Sequence, residues 1–438
     1  MDEKLINKTF SSLNLLDMDF SELEDVTISL TKKFIQNLMN FKDTTISEET
    51  FKEISLNCIK HLKVSCTKGP SFQNLIINTN GMLESLKEML KNEEKKFDNV
   101  KTKVFELIAN LCVKNEKCQK KIWNEVNELI ICELTSSNVQ NVNISAMIIY
   151  NIKIGINENI EIEQALNVAL DHYDNFLKNN ISMPDFLHIL LDYFICSCDV
   201  VQSYKKLTSE KQRIFLYYVN DYIENESNQI INTSLLKHLT FEFKKKSDCV
   251  LKTVTSYVDS IDPEVVVTLL DIISTATAQD KYLSLLRDDA SLFLNIGCLL
   301  QALHKIGKES KNTFSPIQNL EALIPNANDN ADFEKEISFS FKTKLVKSLA
   351  NLSYRNKRNQ ELAREMEIMQ SIFECTNADA RNPLIKEWSI LAIRNLCEEN
   401  SENQDIVQSL TRIGDAQNPV LTEFGLSEGV FRIKKHNM

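Results

Sequence analysis

The chain has 438 residues, of which 8 are glycine and 7 proline, about 3% where the two together usually make up roughly 12%. That shortage excludes turn-rich β-sandwiches, barrels and propellers, and no GxGxxG or GxxxxGK(S/T) phosphate loop can be assembled from Gly69, Gly81, Gly155, Gly297, Gly307, Gly414, Gly425 and Gly429. A formal net charge of −11 argues against a nucleic-acid binder, which needs Lys and Arg to neutralise phosphates.

At the start, Met1-Asp2-Glu3-Lys4 has neither a basic nor an apolar leader region, which reads as no secretory signal. No run of about 18 apolar residues is available to span a membrane; Ala290 to Leu303 reads as a buried helix. The eleven cysteines are odd in number and lack a CxxC pair, so reduced thiols packed as small hydrophobes in a cytoplasmic protein are expected.

Helical periodicity runs through nearly the whole chain. Val104, Leu107, Ile108 and Leu111 fall at i, i+3, i+4 and i+7, one face of a helix. Three segments then align without gaps: Phe105 to Cys112 with Asn115 and Gln119, Val346 to Ser353 with Asn356 and Gln360, and Ile390 to Cys397 with Asn400 and Gln404. Weaker landmarks at Tyr150-Asn151-Ile152, Phe194, Leu239, Ile273 and Ile306 give a mean spacing near 41 residues, the period of armadillo or HEAT repeats. The expected fold is therefore all-α, an armadillo/HEAT-like right-handed superhelical solenoid of two- and three-helix repeats. Asn-rich corners (Lys114-Asn115-Glu116, Arg355-Asn356-Lys357, Glu399-Asn400-Ser401) supply left-handed helix ends through Asn rather than Gly. Asp262-Pro263, Ser315-Pro316, Asn382-Pro383 and Asn418-Pro419 each read as an N-cap followed by a first-turn proline.

One stretch breaks the pattern: Lys308 to Glu336 holds Pro316, Pro325 and a polar run from Asn326 to Asp332. The expected domains are a helical array at 1–307, a long polar loop at 308–337 and a C-terminal module at 338–438. That last part carries 14 basic against 13 acidic residues, whereas the rest of the chain carries 36 against 48.

Catalytic and metal-binding patterns are missing from the sequence. The six histidines form no HExxH and no zinc spacing with cysteine, and there is no GxSxG elbow. No enzyme, cofactor or metal is expected. The repeated Asn could clamp an extended peptide backbone, but such grooves carry a Trp four residues earlier, and here Glu106, Met147, Lys347 and Leu391 stand there. A structural Asn bonded to the adjacent repeat is the expected role. Trp388 is expected between the last repeats. The basic cluster Lys342, Lys344, Lys347, Arg355, Lys357 and Arg358 is a solvated face or a dock for an acidic partner segment.

The C-terminal module resembles the ataxin-10 family. The resemblance rests on Asn382-Pro383, Ile385-Lys386-Glu387-Trp388, Ala392-Ile393-Arg394-Asn395-Leu396 and Asn400-Ser401-Glu402-Asn403-Gln404, over roughly residues 338–410. It implies a cytoplasmic, non-catalytic armadillo protein with perinuclear or division-site association and roles in cytokinesis and, in animals, neurite outgrowth and neuronal survival. The expected function is a protein-binding scaffold whose partner-facing candidates are Lys347, Asn351, Arg355, Lys357, Arg358, Arg394 and Asn395. The expected partners are proteins, with no nucleic acid and no membrane, and a homo-oligomer is allowed. The alternative is an importin-like carrier of basic peptide cargo.

Overall fold

The computed structural model describes residues 19–156, 163–179, 182–225, 230–252, 263–309, 311–317, 336–377, 379–416 and 428–433, with backbone alone from residue 410. The chain forms two compact units that divide between Phe194 and Ile195.

The first unit runs through α1 (Phe20–Lys42), α2 (Glu48–Cys66), α3 (Pro70–Asn78), α4 (Met82–Lys91), a 3-10 turn (Lys95–Phe97), α5 (Asp98–Leu111), α6 (Glu116–Glu133), α7 (Val139–Gly155), α8 (Glu163–Asn179) and most of α9 (Asp185–Cys196). Helices α2, α5 and α7 pack one on the next as a row, α1 covers α2, and α3, α4 and α6 back the row. The heptad-like positions explain the row: Val104, Leu107, Ile108 and Leu111 are fully buried on α5.

The second unit continues with α10 (Val200–Lys206), α11 (Ser209–Glu224), α12 (Thr233–Lys246), α13 (Cys249–Lys252), α14 (Pro263–Thr277), α15 (Asp280–Leu286), α16 (Ala290–Glu309), α17 (Phe341–Ser353), α18 (Lys357–Glu365), α19 (Ile368–Glu374), α20 (Ile385–Cys397) and α21 (Ser401–Gln408). Its row is α11–α14–α17–α20, backed by α12, α16 and α19. The strands β1 (Leu410–Ala416) and β2 (Glu428–Ile433) follow as an antiparallel pair with Leu410 opposite Ile433, and β2 leans on α19. Each unit is thus a layered helical stack of the kind the repeat period predicts, with this one strand pair added. Leu239 and Ile306, read as row landmarks, sit instead on α12 and α16 in the backing layer.

The stretch expected as a loop at 308–337 is anchored where it is described. Lys342, 2% exposed, donates from Nζ to the Phe314 carbonyl at 2.6 Å. Ile317 N–H donates to Asp379 Oδ1 at 3.0 Å, and Arg381 Nη1 donates to the Ser315 carbonyl at 3.0 Å. Residues 318–335 lie outside the described residues. The proline expectations fare unevenly. Pro263 opens α14, while Asp262 and Asn418-Pro419 lie outside the described residues. Pro316 sits in irregular backbone. Asn382 caps a neighbour instead of its own helix: its Oδ1 accepts the Lys342 N–H at 3.0 Å, in the first turn of α17.

The repeated corners have a different cause from the one the sequence suggests. The left-handed residue is the one before the Asn, with φ of 51° at Lys114, 50° at Arg355 and 52° at Glu399. Asn115, Asn356 and Asn400 are extended N-caps, each accepting the N–H three residues on: Cys118, Asn359 and Asn403, all at 3.2 Å. The Gln four residues after the first two caps then ties one repeat to the next, while Gln404, four after Asn400, donates to the Cys397 carbonyl of its own repeat. Gln360 donates to the carbonyls of Asn395 (2.9 Å) and Glu398 (3.2 Å), and Asn400 Nδ2 donates back to Gln360 Oε1 at 3.2 Å. Gln73 does the same toward Asn110 (2.9 Å) and Val113 (3.1 Å), with Asn115 Nδ2 returning to Gln73 Oε1 at 2.9 Å. Gln119 donates to Cys112 O (2.7 Å) and Asn151 O (3.0 Å). These three Gln residues are at most 2% exposed, so their amide groups depend on these bonds rather than on water.

Candidate interaction surface

The solvent-facing side of the α11–α14–α17–α20 row carries charge and one aromatic anchor. Arg213 Nη1 on α11 pairs with Glu264 Oε2 on α14 at 2.8 Å. Lys344 on α17 pairs with Asp271 on α14. Burial pushes the Asp271 carboxyl above the usual carboxylate range, and the Lys344 ammonium opposes the rise. One turn on, Lys347 Nζ lies over the Trp388 ring of α20, 5.4 Å from its centroid. Burial pushes the Lys347 ammonium below the usual lysine range while Glu224 and Asp271 pull it back up. A cation on an aromatic face contributes about 0.5–1 kcal/mol when exposed and more when desolvated. Both side chains are half-buried, so Trp388 is neither sealed between repeats nor fully presented.

The seven partner-facing candidates fall into two groups. Lys347, Asn351 and Asn395 lie along the α17–α20 seam. Asn395 is buried and donates from Nδ2 to the Ala350 carbonyl at 2.9 Å, and Asn351 Nδ2 reaches Thr277 Oγ1 at 3.4 Å. Both contacts are to the preceding row helix. In the first unit Asn110 turns back on its own helix, donating to the Glu106 carbonyl at 2.7 Å. Arg355, Lys357, Arg358 and Arg394 are exposed. Arg355 lies over the Tyr354 ring, 5.1 Å from its centroid, and its Nε is 3.7 Å from Glu398 Oε1 of the next corner. The corner itself is held from below, since Arg287 donates to the Tyr354 carbonyl at 2.8 Å and Asn356 Nδ2 donates to the Arg287 carbonyl at 2.7 Å.

Sequence reasoning missed the Lys347–Trp388 pair, although a signal was present. Trp388 is seven residues before Asn395 and Lys347 four before Asn351, so both sit within two turns of an inter-repeat Asn on adjacent helices. Asp271 and Glu224 carried no motif at all. Among the described residues, no group of three or more His, Cys, Asp or Glu is placed to hold a metal ion, and no single helix is long and apolar enough to cross a membrane. The described arrangement offers hydrogen-bonding, ionic and stacking groups on a helical face.

Residues 341–434 match the model of the spinocerebellar ataxia type 10 protein domain. Over 386 residues the chain is 26% identical to Ataxin-10 of Bos taurus, covering 85% of this chain and 79% of the relative. It is 48% identical over 90 residues to an Ataxin-10 homolog of Dictyostelium discoideum, covering 20% of this chain and 15% of the relative. A solved structure titled "A conserved phosphorylation switch controls the interaction between cadherin and beta-catenin in vitro and in vivo" is similar at 12% identity and a TM-score of 0.33, covering 93% of this chain and 71% of its own.

Proposed function

We propose, from the premise that this chain belongs to the ataxin-10 family, that it is a non-enzymatic scaffold that binds protein partners on the α11–α14–α17–α20 face and its basic corner. One observation carries the reading. Asn395 and Gln360 are occupied in holding repeats together, the row face carries Lys347 on Trp388, and the corner after α17 carries exposed Arg355, Lys357 and Arg358. That combination suits an acidic partner segment, because rim charges steer association while a half-buried aromatic gives it an anchor. The cellular setting we propose is the cytoplasm, with a part in cytokinesis and, in animals, in neurite outgrowth; the support for it is family membership.

The test is quantitative affinity capture from cytosol with the full chain and with the Lys357→Glu/Arg358→Glu variant. Both side chains are exposed, so stability should move by no more than about 0.5 kcal/mol. Loss of one or more acidic partners at unchanged melting temperature is expected. Identical partner sets would overturn the reading. Lys347→Glu is a poorer probe, since it would set a third carboxylate beside Asp271 and Glu224 and lower stability by itself.

A further inference from the structure

The outer side of the second unit's backing layer concentrates lysine in an acidic chain. Helices α10 and α12 together hold six lysines, Lys205, Lys206, Lys237, Lys244, Lys245 and Lys246, against one carboxylate, Glu242, where the whole chain has a net charge of −11. The two helices pack together, and the carboxylate is engaged between them. Glu242 Oε2 accepts from the hydroxyl of the buried Tyr204 at 3.0 Å, and Glu242 Oε1 lies 3.4 Å from Lys246 Nζ. Lys244 Nζ pairs with Asp289 Oδ2 at 2.8 Å. Lys205, Lys237 and Lys245 are exposed and pair with no carboxylate among the described residues. Among them stands Phe241, 59% exposed. Lys237, Phe241 and Lys245 are spaced at four residues, so they form one line along α12, on the side away from its buried Leu235, Leu239 and Phe243.

We propose that this ridge seats the second unit on an anionic lipid surface. Phe241 enters the headgroup region, and Lys205, Lys237 and Lys245 lie against the anionic headgroups. Charge and shape both select that occupant. Three side chains in line on one helix project as a ridge, whereas a bound peptide needs a groove for its helix or a sheet edge for its strand. An apolar protein surface laid over Phe241 would also take water from the ammonium groups four residues to either side of it. At a bilayer the ring reaches the acyl boundary while the long lysine stems hold their ammonium groups among the headgroups. The lysines line a ridge and no pocket, so anionic charge is recognised rather than one particular headgroup. A lipid partner departs from the protein partners expected of the sequence. It requires no spanning helix, and it uses none of the α17–α20 residues on which the scaffold reading rests.

The test co-sediments the full chain with phosphatidylcholine vesicles that contain or lack phosphatidylserine, at low and at physiological salt. Binding to the phosphatidylserine vesicles alone is expected, weakening as salt rises. Lys237→Gln/Lys245→Gln should lower vesicle affinity about tenfold or more, and Phe241→Ala several-fold, at unchanged melting temperature because all three side chains are exposed. Phe241→Trp gives a second reading. After subtraction of the wild-type spectrum, its emission should be that of an exposed indole in buffer. It should then shift to the blue and be quenched by brominated acyl chains when phosphatidylserine vesicles are added. No binding, equal binding to vesicles lacking phosphatidylserine, or binding that survives both variants would overturn the proposal. So would blue emission before vesicles are added, since the chain's own residues or a second copy would then cover position 241. A polyglutamate peptide that binds in a Phe241-dependent way would overturn it too, by making an acidic protein the occupant. The Lys357→Glu/Arg358→Glu capture result stands or falls separately from all of these.

Discussion

Replacing Gln360 by Leu should lower the stability of the second unit by about 3 kcal/mol, which for a unit of this size is roughly 6–12 °C in melting temperature. The shape is nearly conserved and the volume stays in place, so the loss comes from polar groups. The Asn395 and Glu398 carbonyls lose their donor and the Asn400 amide loses its acceptor, the first and last of these in buried sites. Stranding a buried polar group costs about 1–3 kcal/mol, whereas a satisfied bond contributes about 1. Gln404→Leu is the matched control: the same chemistry at the same repeat position, but exposed, and expected to change stability by under about 0.5 kcal/mol. Differential scanning calorimetry of the two variants reads the difference, and equal losses would contradict the account.

Gly155→Ala should destabilise the first unit, against helix propensity. Gly155 is the last residue of α7, and in a helix Ala is favoured over Gly by about 1 kcal/mol. A Cβ there would stand 2.1 Å from Gln119 Oε1 and 2.5 Å from its Nε2. The end of a side chain normally swings clear, but Gln119 is 1% exposed and bonded to carbonyls of two repeats, so moving it breaks the tie. Overpacking at about 1–3 kcal/mol plus the stranded carbonyls outweigh the propensity gain, leaving a net loss of about 2 kcal/mol. In a Gln119→Ala background the collision is gone, and Gly155→Ala should become neutral or mildly stabilising. A urea midpoint that rises in the wild-type background would sink this reading.

Much of the architecture was legible because its main device is local and recurs. The five-residue and nine-residue offsets after Asn110, Asn351 and Asn395 locate one N-cap and one Gln per repeat; all three Asn cap alike, and Gln119 and Gln360 connect to the next repeat while Gln404 bonds within its own. Less legible was how the backbone distributes its strain. Asn tolerates the left-handed region well, so the corner Asn was the natural candidate for it. The structure gives that conformation to Lys114, Arg355 and Glu399, at a cost of about 1–2 kcal/mol each, because the Asn oxygen is required one residue later to cap the helix. Asn382 follows the same logic across the seam, since a cap that serves α17 from before α20 cannot be read from either helix alone.

The surface was the least legible part. Lys347 and Trp388 are 41 residues apart and meet only because α17 and α20 are adjacent in the row. Asp271 meets Lys344 across the stretch that interrupts the period, where counting in repeats no longer helps. The exposed Ile390 and Gln404 could not be told from their buried counterparts by residue type; what distinguishes them is that no helix follows on that side among the described residues.

The central claim is that the repeated Asn and Gln form one coupled connection between successive repeats. A double-mutant cycle on Gln360→Ala and Asn400→Ala, read by urea denaturation of the full chain, tests it most directly. The two side chains share a buried bond, so a coupling energy of about 1 kcal/mol or more is predicted. Losses that add to within about 0.3–0.5 kcal/mol would contradict it and leave the repeated spacing without a physical cause.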